Sequence, residues 1–230
     1  MEIPFKLITK NENQSIINAE WAIETAKKLN RPVALLVKKD SFDKSVKNKI
    51  VNEKNIHYIS RENAISIITE NISNKSILVS TTGMISRELY EKRSKSNQDR
   101  SKDFLTVGSM GHASQIALGI AKANPNKRVV CLDGDGAALM HLGGMATIGT
   151  TDSGNLLHIV LNNGAHDSVG GQPTVAQKIS LTSIAKACCY KYIEGPIKDK
   201  KEIVNVINRF NNLSGICFVE IYVDKGFRKD

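Results

Sequence analysis

No run in this sequence reaches the roughly 20 consecutive apolar residues that a membrane-spanning helix needs, so no membrane partner is expected. The N-terminal "MEIPFKLITKNE" lacks a basic leader ahead of an apolar core. Export and membrane targeting are therefore not indicated, and the cytoplasm is the expected compartment. Aromatic residues are scarce at 5%. With its lysines spread along the chain and no stacking or recognition-helix pattern, the formal net charge of +9 reads as a solvated Lys-rich surface, and no nucleic-acid partner is expected. The four cysteines, Cys131, Cys188, Cys189 and Cys217, include no CxxC pair, which argues against a tetrahedral zinc centre and for buried free thiols. Internal repeats of solenoid length and low-complexity tracts are also missing.

What remains is the composition of a globular chain able to bury a sizeable core: 230 residues, 41% hydrophobic and 24% charged. Apolar residues recur at helical spacing from Gln14 to Leu29, and "RPVALLV" then reads as a strand. The Lys-rich segment 38–55 has no stable periodicity and reads as a linker. Beyond it, helix and strand patterns alternate. A helix "RENAISIITENI", the strand "SILVS", a turn "TTGM" and a helix from near Ile85 come first. A glycine-entered helix over 108–124, the strand "RVVCLD", a helix from Ala137 to Thr150 and the strand "LLHIVLNN" follow. Helices over "LTSIAKACCY" and "EIVNVINRFNN" precede a last strand "GICFVEIYV". Such alternation implies an α/β fold with a doubly wound, mainly parallel sheet and helices on both faces.

In these sheets ligands bind outside the carboxyl ends of the strands. The unusual residues fall there: "STTG" at 80–83, "DGDG" at 133–136 and "NNGAHDS" at 162–168. Asp135 ends a strand and is flanked by Gly134 and Gly136, which leave the backbone open to a ligand. A carboxylate beside a phosphate site needs a cation between them, and Mg²⁺ suits oxygen donors shared between protein and phosphate. Asn163 lies 28 residues beyond Asp135, room for one helix, one strand and two short turns, so two strand ends can share one metal. Taken alone, Asp-Gly-Asp-Gly and Asn-Asn are also ordinary turns. An EF-hand is excluded because Gly144 falls where the bidentate Glu belongs, and the G-x-x-G at 108–111 lacks the dinucleotide fingerprint.

The GDG, a helix-and-strand interval and the NN together resemble the signature of thiamine-diphosphate-dependent enzymes, over residues 76–223. The resemblance implies thiamine diphosphate and Mg²⁺ as cofactors. Asp135, the Asn163 side chain and the Ala165 carbonyl would ligate the metal, with backbone at Gly136 and Ala137 at the diphosphate and Gly134 in the cofactor-binding set. Met110 stands at the position of the wedge that bends the cofactor, although core packing would also suit it. The Gly108 carbonyl would accept from the cofactor's amino group, and Thr82 belongs to the same cofactor-binding set. Within the superfamily, "STTGMISRELYE", "TVGSMGHASQIALGIA" and "NNGAHDSVGGQPT" are most similar to phosphonopyruvate decarboxylases, with sulfopyruvate decarboxylase β subunits second. That similarity implies decarboxylation of 3-phosphonopyruvate to phosphonoacetaldehyde and CO₂, a small anionic 2-oxo acid as substrate, and His112 and His166 as catalytic candidates. Ser168 is a candidate cofactor contact, Gln172 another polar group near the cofactor, and Arg87 a possible phosphonate contact or a surface residue.

One departure matters. Residues 1–48 resemble the C-terminal piece of a pyrimidine-binding domain, 49–75 a linker and first helix, and 76–230 the diphosphate-binding domain. Nothing in 1–48 matches the surroundings of the family's glutamate that activates the cofactor. The resemblance therefore implies a pyrimidine-binding domain or subunit as partner, in a homo- or hetero-oligomer. A non-catalytic cofactor-binding remnant is the alternative.

Overall fold

The computed structural model describes residues 2–43 and 57–226. The chain divides into two compact units, Met1–Asn55 and Ile56–Asp230; residues 44–55 of the expected linker lie outside the described residues.

The first unit is a β-α-β crossover. Strand β1 (Phe5–Ile8) pairs in parallel with β2 (Ala34–Val37), and helix α1 (Glu12–Leu29) joins them. Asn11 starts the helix by accepting a hydrogen bond from the Gln14 N–H at 3.1 Å, and Asn30 ends it at φ +46°, a conformation Asn tolerates well. The sequence pattern captured α1 and the core of β2. It did not capture β1, which has only four residues.

The second unit holds a six-stranded, wholly parallel sheet in the order β4-β3-β5-β6-β10-β9. Its strands are β3 (Ile77–Ser80), β4 (Asp103–Leu105), β5 (Val129–Gly134), β6 (Leu156–Asn162), β9 (Tyr192–Ile197) and β10 (Cys217–Tyr222). A small antiparallel pair, β7 (Ala165–His166) and β8 (Gln172–Pro173), follows β6. Successive side chains of a strand point to opposite faces, so one strand feeds two cores. Val130 and Leu132 of β5 pack with α2 (Arg61–Asn71), α3 (Met84–Lys95) and α8 (Lys200–Phe210). Val129 and Cys131 pack on the other face with α4 (Ala113–Ala123), α6 (Gly144–Gly149) and α7 (Leu181–Ala187).

Local sequence explains the helices. Asp199 caps α8 by accepting from the Glu202 N–H at 3.0 Å. Ile203, Val206, Ile207 and Phe210, at spacings of three and four, then bury one stripe, each contributing about 1.5–3 kcal/mol. Ser60 and Ser180 cap α2 and α7 in the same way.

Several expectations need correction. The single helix expected from Ala137 to Thr150 is two: α5 (Asp135–Met140) and α6, broken at His141–Gly143, where adjacent glycines disfavour helix. The helix expected over "LTSIAKACCY" stops at Ala187. Strands β4 and β9 were missed, the first because it has three residues, the second because Gly195 and Pro196 interrupt it at the sheet edge. Of the thiols expected to be buried, Cys131 and Cys217 are, Cys188 is half-buried, and Cys189 is exposed at φ +66° just after α7. No helix among the described residues is long and apolar enough to cross a membrane.

Candidate cofactor site at the strand ends

Strand β3 connects through α3 to β4 on one side, whereas its neighbour β5 connects through α5 and α6 to β6 on the other. This reversal opens a crevice at the carboxyl ends of β3 and β5. A cavity occupies it, lined by Thr81 and Thr82 from the end of β3, Gly134 to Ala137 from β5 and α5, and Asn163 with Ala165 to Ser168 beyond β6. Met110, Met84, Ile85, Leu161 and Arg61 complete its wall.

Ten of the sequence candidates thus meet in one place: Thr82, Met110, Gly134, Asp135, Gly136, Ala137, Asn163, Ala165, His166 and Ser168. Gly108 and His112 are not in that wall. Gly108 stands at φ +73° with its N–H donating to the Thr82 hydroxyl at 3.1 Å, so it reaches the cavity through Thr82. His112 is exposed ahead of α4, its ring 4.3 Å from that of His141. Arg87 and Gln172 are likewise exposed and do not line the cavity.

The donor set suits an anion held through a cation. Asp135 is 2% exposed and accepts from the Thr174 hydroxyl. Burial raises its pKa, opposed by Thr174, by the N–H groups of Gly136 and Asp135, and by His166. A buried carboxylate in this state is relieved by a cation. The Asn163 side chain accepts from the Ala165 N–H at 3.0 Å and donates to Asp167 at 2.6 Å. Thr81, which sequence reasoning passed over for its neighbour Thr82, has a buried hydroxyl with no hydrogen-bond partner among the described residues. Such an atom costs free energy unless a ligand meets it. At Gly136 an added Cβ would lie 2.5 Å from the His166 ring and 3.3 Å from the Met110 methyl, so glycine keeps the floor of the cavity clear.

Asp133 has a different environment from Asp135. It is fully buried, accepts from the Gly134 N–H at 2.9 Å and meets His158 Nε2 at 3.3 Å, while His158 Nδ1 lies 3.1 Å from the Tyr190 hydroxyl. Cys131 completes a compact group with Asp133 and His158. Burial pushes its thiol well above the usual range, leaving it protonated, and the group is a hydrogen-bonded core network.

Glu220, outside the cavity wall, is another buried acid that feels the charge of Asp135. It accepts from the Asn162 amide at 2.8 Å; burial raises its pKa, the Asn162 hydrogen bond opposes this and the Asp135 charge adds to it. A raised folded-state value means stability is greatest below the ordinary carboxylate range and falls as pH climbs through the raised value. Glu220→Gln keeps an oxygen for Asn162. In EDTA it should melt above the native chain at neutral pH, with the difference vanishing near pH 4, about the ordinary value. An equal difference at both pH values would contradict this.

Sequence reasoning also missed Arg61. It is 5% exposed and binds Glu88 through Nε and Nη2 at 2.9 Å each, and Asp167 through Nη1 at 2.8 Å. Burial works against its charge but the two carboxylates prevail, and its pKa is raised.

Residues 81–221 match the family described as "Thiamine pyrophosphate enzyme, C-terminal TPP binding domain". The chain is 47% identical over 116 residues to a phosphonopyruvate decarboxylase of Streptomyces viridochromogenes, covering 50% of this chain and 28% of that relative's length. It is 38% identical over 154 residues to the sulfopyruvate decarboxylase subunit beta of Methanocaldococcus jannaschii, covering 66% of this chain and 79% of the relative. The crystal structure of benzoylformate decarboxylase from Polynucleobacter necessarius shares the fold, with a TM-score of 0.63 at 15% identity over 74% of this chain and 34% of that one.

Proposed function

Because this chain belongs to the thiamine pyrophosphate enzymes, whose C-terminal binding domain it carries, we infer that it supplies the diphosphate- and Mg²⁺-holding half of a decarboxylase acting on 3-phosphonopyruvate. The observation carrying this reading is the convergence of Thr81, Asp135, Asn163 and Ala165 in one cavity at the switch point of the sheet. Identity to the phosphonopyruvate decarboxylase supports the choice of substrate.

In this reading Asp135, the Asn163 amide oxygen and the Ala165 carbonyl hold Mg²⁺. The backbone of Gly136 and Ala137 would receive the diphosphate, Thr82 and Gly108 would line the approach, and Met110 would pack against the bound cofactor. When bound, the cofactor supplies the electron sink for the pair left as CO₂ departs. His166, beside Gly136, and Ser168, on the cavity wall, would bind substrate or move a proton at its reacting carbon.

A pyrimidine-binding partner would supply the glutamate. The first unit supports such a partner: Phe5, Leu7, Leu36 and Val37 of its two strands are exposed, although parallel strands are normally covered on both faces. A sulfopyruvate-specific subunit is the second reading, favoured by the 79% of the beta-subunit relative that the chain covers.

The test mixes this chain with the polypeptide encoded directly upstream, Mg²⁺ and thiamine diphosphate, and follows CO₂ and aldehyde. Release from phosphonopyruvate at a kcat/KM above that for sulfopyruvate is expected. The reverse ratio selects the second reading, and release from neither leaves a cofactor-binding remnant.

A further inference from the structure

We propose that Asp167, clamped by Arg61, is a positioning residue that sets the orientation of the Asn163 amide and so presents its oxygen to the metal. This rests on the reading above that Asn163 is a metal ligand. An Asn amide can be turned end for end at little intrinsic cost, and only its partners decide which end is oxygen. Here both ends are dictated. The nitrogen lies 2.6 Å from an Asp167 carboxylate oxygen, which can only accept. The oxygen lies 3.0 Å from the Ala165 N–H, which can only donate. Turning the amide would set oxygen against oxygen and N–H against N–H. Its oxygen keeps a second lone pair for a cation.

Asp167 is itself held. The same Oδ2 that receives Asn163 accepts from Arg61 Nη1 at 2.8 Å and from the Gly226 N–H at 3.0 Å. Arg61 cannot swing away, because its Nε and Nη2 are gripped by Glu88 of α3 and Nη2 also reaches the Gly226 carbonyl at 3.2 Å. Helix α2, the loop after β6 and the segment after β10 therefore meet at one carboxylate oxygen, and helix α3 holds the arginine through Glu88. Carboxylates that orient a metal's ligands in this way commonly matter about 10–100-fold in metal affinity.

The experiment uses the full chain with thiamine diphosphate, titrated with Mn²⁺ and read by its electron paramagnetic resonance, for the native protein, Asp167→Ala, Asp167→Asn and Asp135→Ala. Asp167→Ala should weaken Mn²⁺ binding about 10–100-fold. Asp167→Asn, which keeps an accepting oxygen but no charge, should recover most of the loss. If Asp167→Ala binds like the native chain, or if Asp167→Asn is as weak as Asp167→Ala, the positioning role is wrong and, in the second case, charge alone acts. Should Asp167→Ala fail to fold, the Asn163 side-chain amide protons decide: they should be shifted downfield and protected from exchange in the native chain, and ordinary amide signals overturn the proposal. Native and Asp135→Ala chains binding Mn²⁺ equally would remove the metal reading itself, and the proposal with it.

Discussion

An Asp135→Ala chain should lose thiamine diphosphate affinity in Mg²⁺ by at least about 100-fold, beyond the upper end of what a residue merely supporting a ligand costs. The carboxylate is buried at a strand end with its pKa raised by that burial, and among the described residues its side-chain hydrogen-bond partner is Thr174. Such a group burdens the metal-free fold. The same variant should therefore melt no lower than the native chain in EDTA, although it leaves the Thr174 hydroxyl without its acceptor. Loss of binding without loss of stability identifies a site maintained for function. Isothermal titration and thermal melting on one preparation check both halves, and retained Mg²⁺-dependent binding would contradict the assignment.

Arg61→Leu should act in the opposite sense, destabilising the second unit by about 3–5 kcal/mol, because it strands two buried carboxylates without their cation. The side chains of Glu88 and Asp167 are only 11% and 7% exposed where they meet Arg61. Water cannot take over the guanidinium's role. The exposed pair between Lys92 and Glu70 is the control: Lys92→Ala should change stability by about 1 kcal/mol or less. Urea unfolding of both variants in EDTA makes the comparison. If Arg61→Leu costs no more than Lys92→Ala, the buried cluster does not hold the unit together.

The contrast between these residues shows what the sequence made legible. Asp135 and Asn163 could be found because local grammar marks them: each sits where an apolar strand gives way to glycine or a turn. Alternating periodicity likewise revealed the parallel sheet and its helices, since each fully buried strand is a short unbroken apolar run. Arg61 carries no such mark. It is 106 residues from Asp167 and lies at the start of an ordinary helix, so its pairing exists only after the chain folds. Thr81 was hidden differently, beside a neighbour of the same type, and burial alone separates them. The single helix expected from Ala137 to Thr150 ran through Gly143–Gly144, the pair beside which the chain breaks into two. Strand β9 was obscured because Gly195 and Pro196 signal an ending, while the sheet edge tolerates both.

The central claim is that the strand-end cavity holds a diphosphate through a divalent cation. Isothermal titration of the full chain with thiamine diphosphate and with unphosphorylated thiamine, each in Mg²⁺ and in EDTA, tests it most directly. Binding of thiamine diphosphate in Mg²⁺ alone, competed by inorganic pyrophosphate, is the expected result. Equal binding of thiamine, or binding undiminished by EDTA, would contradict it.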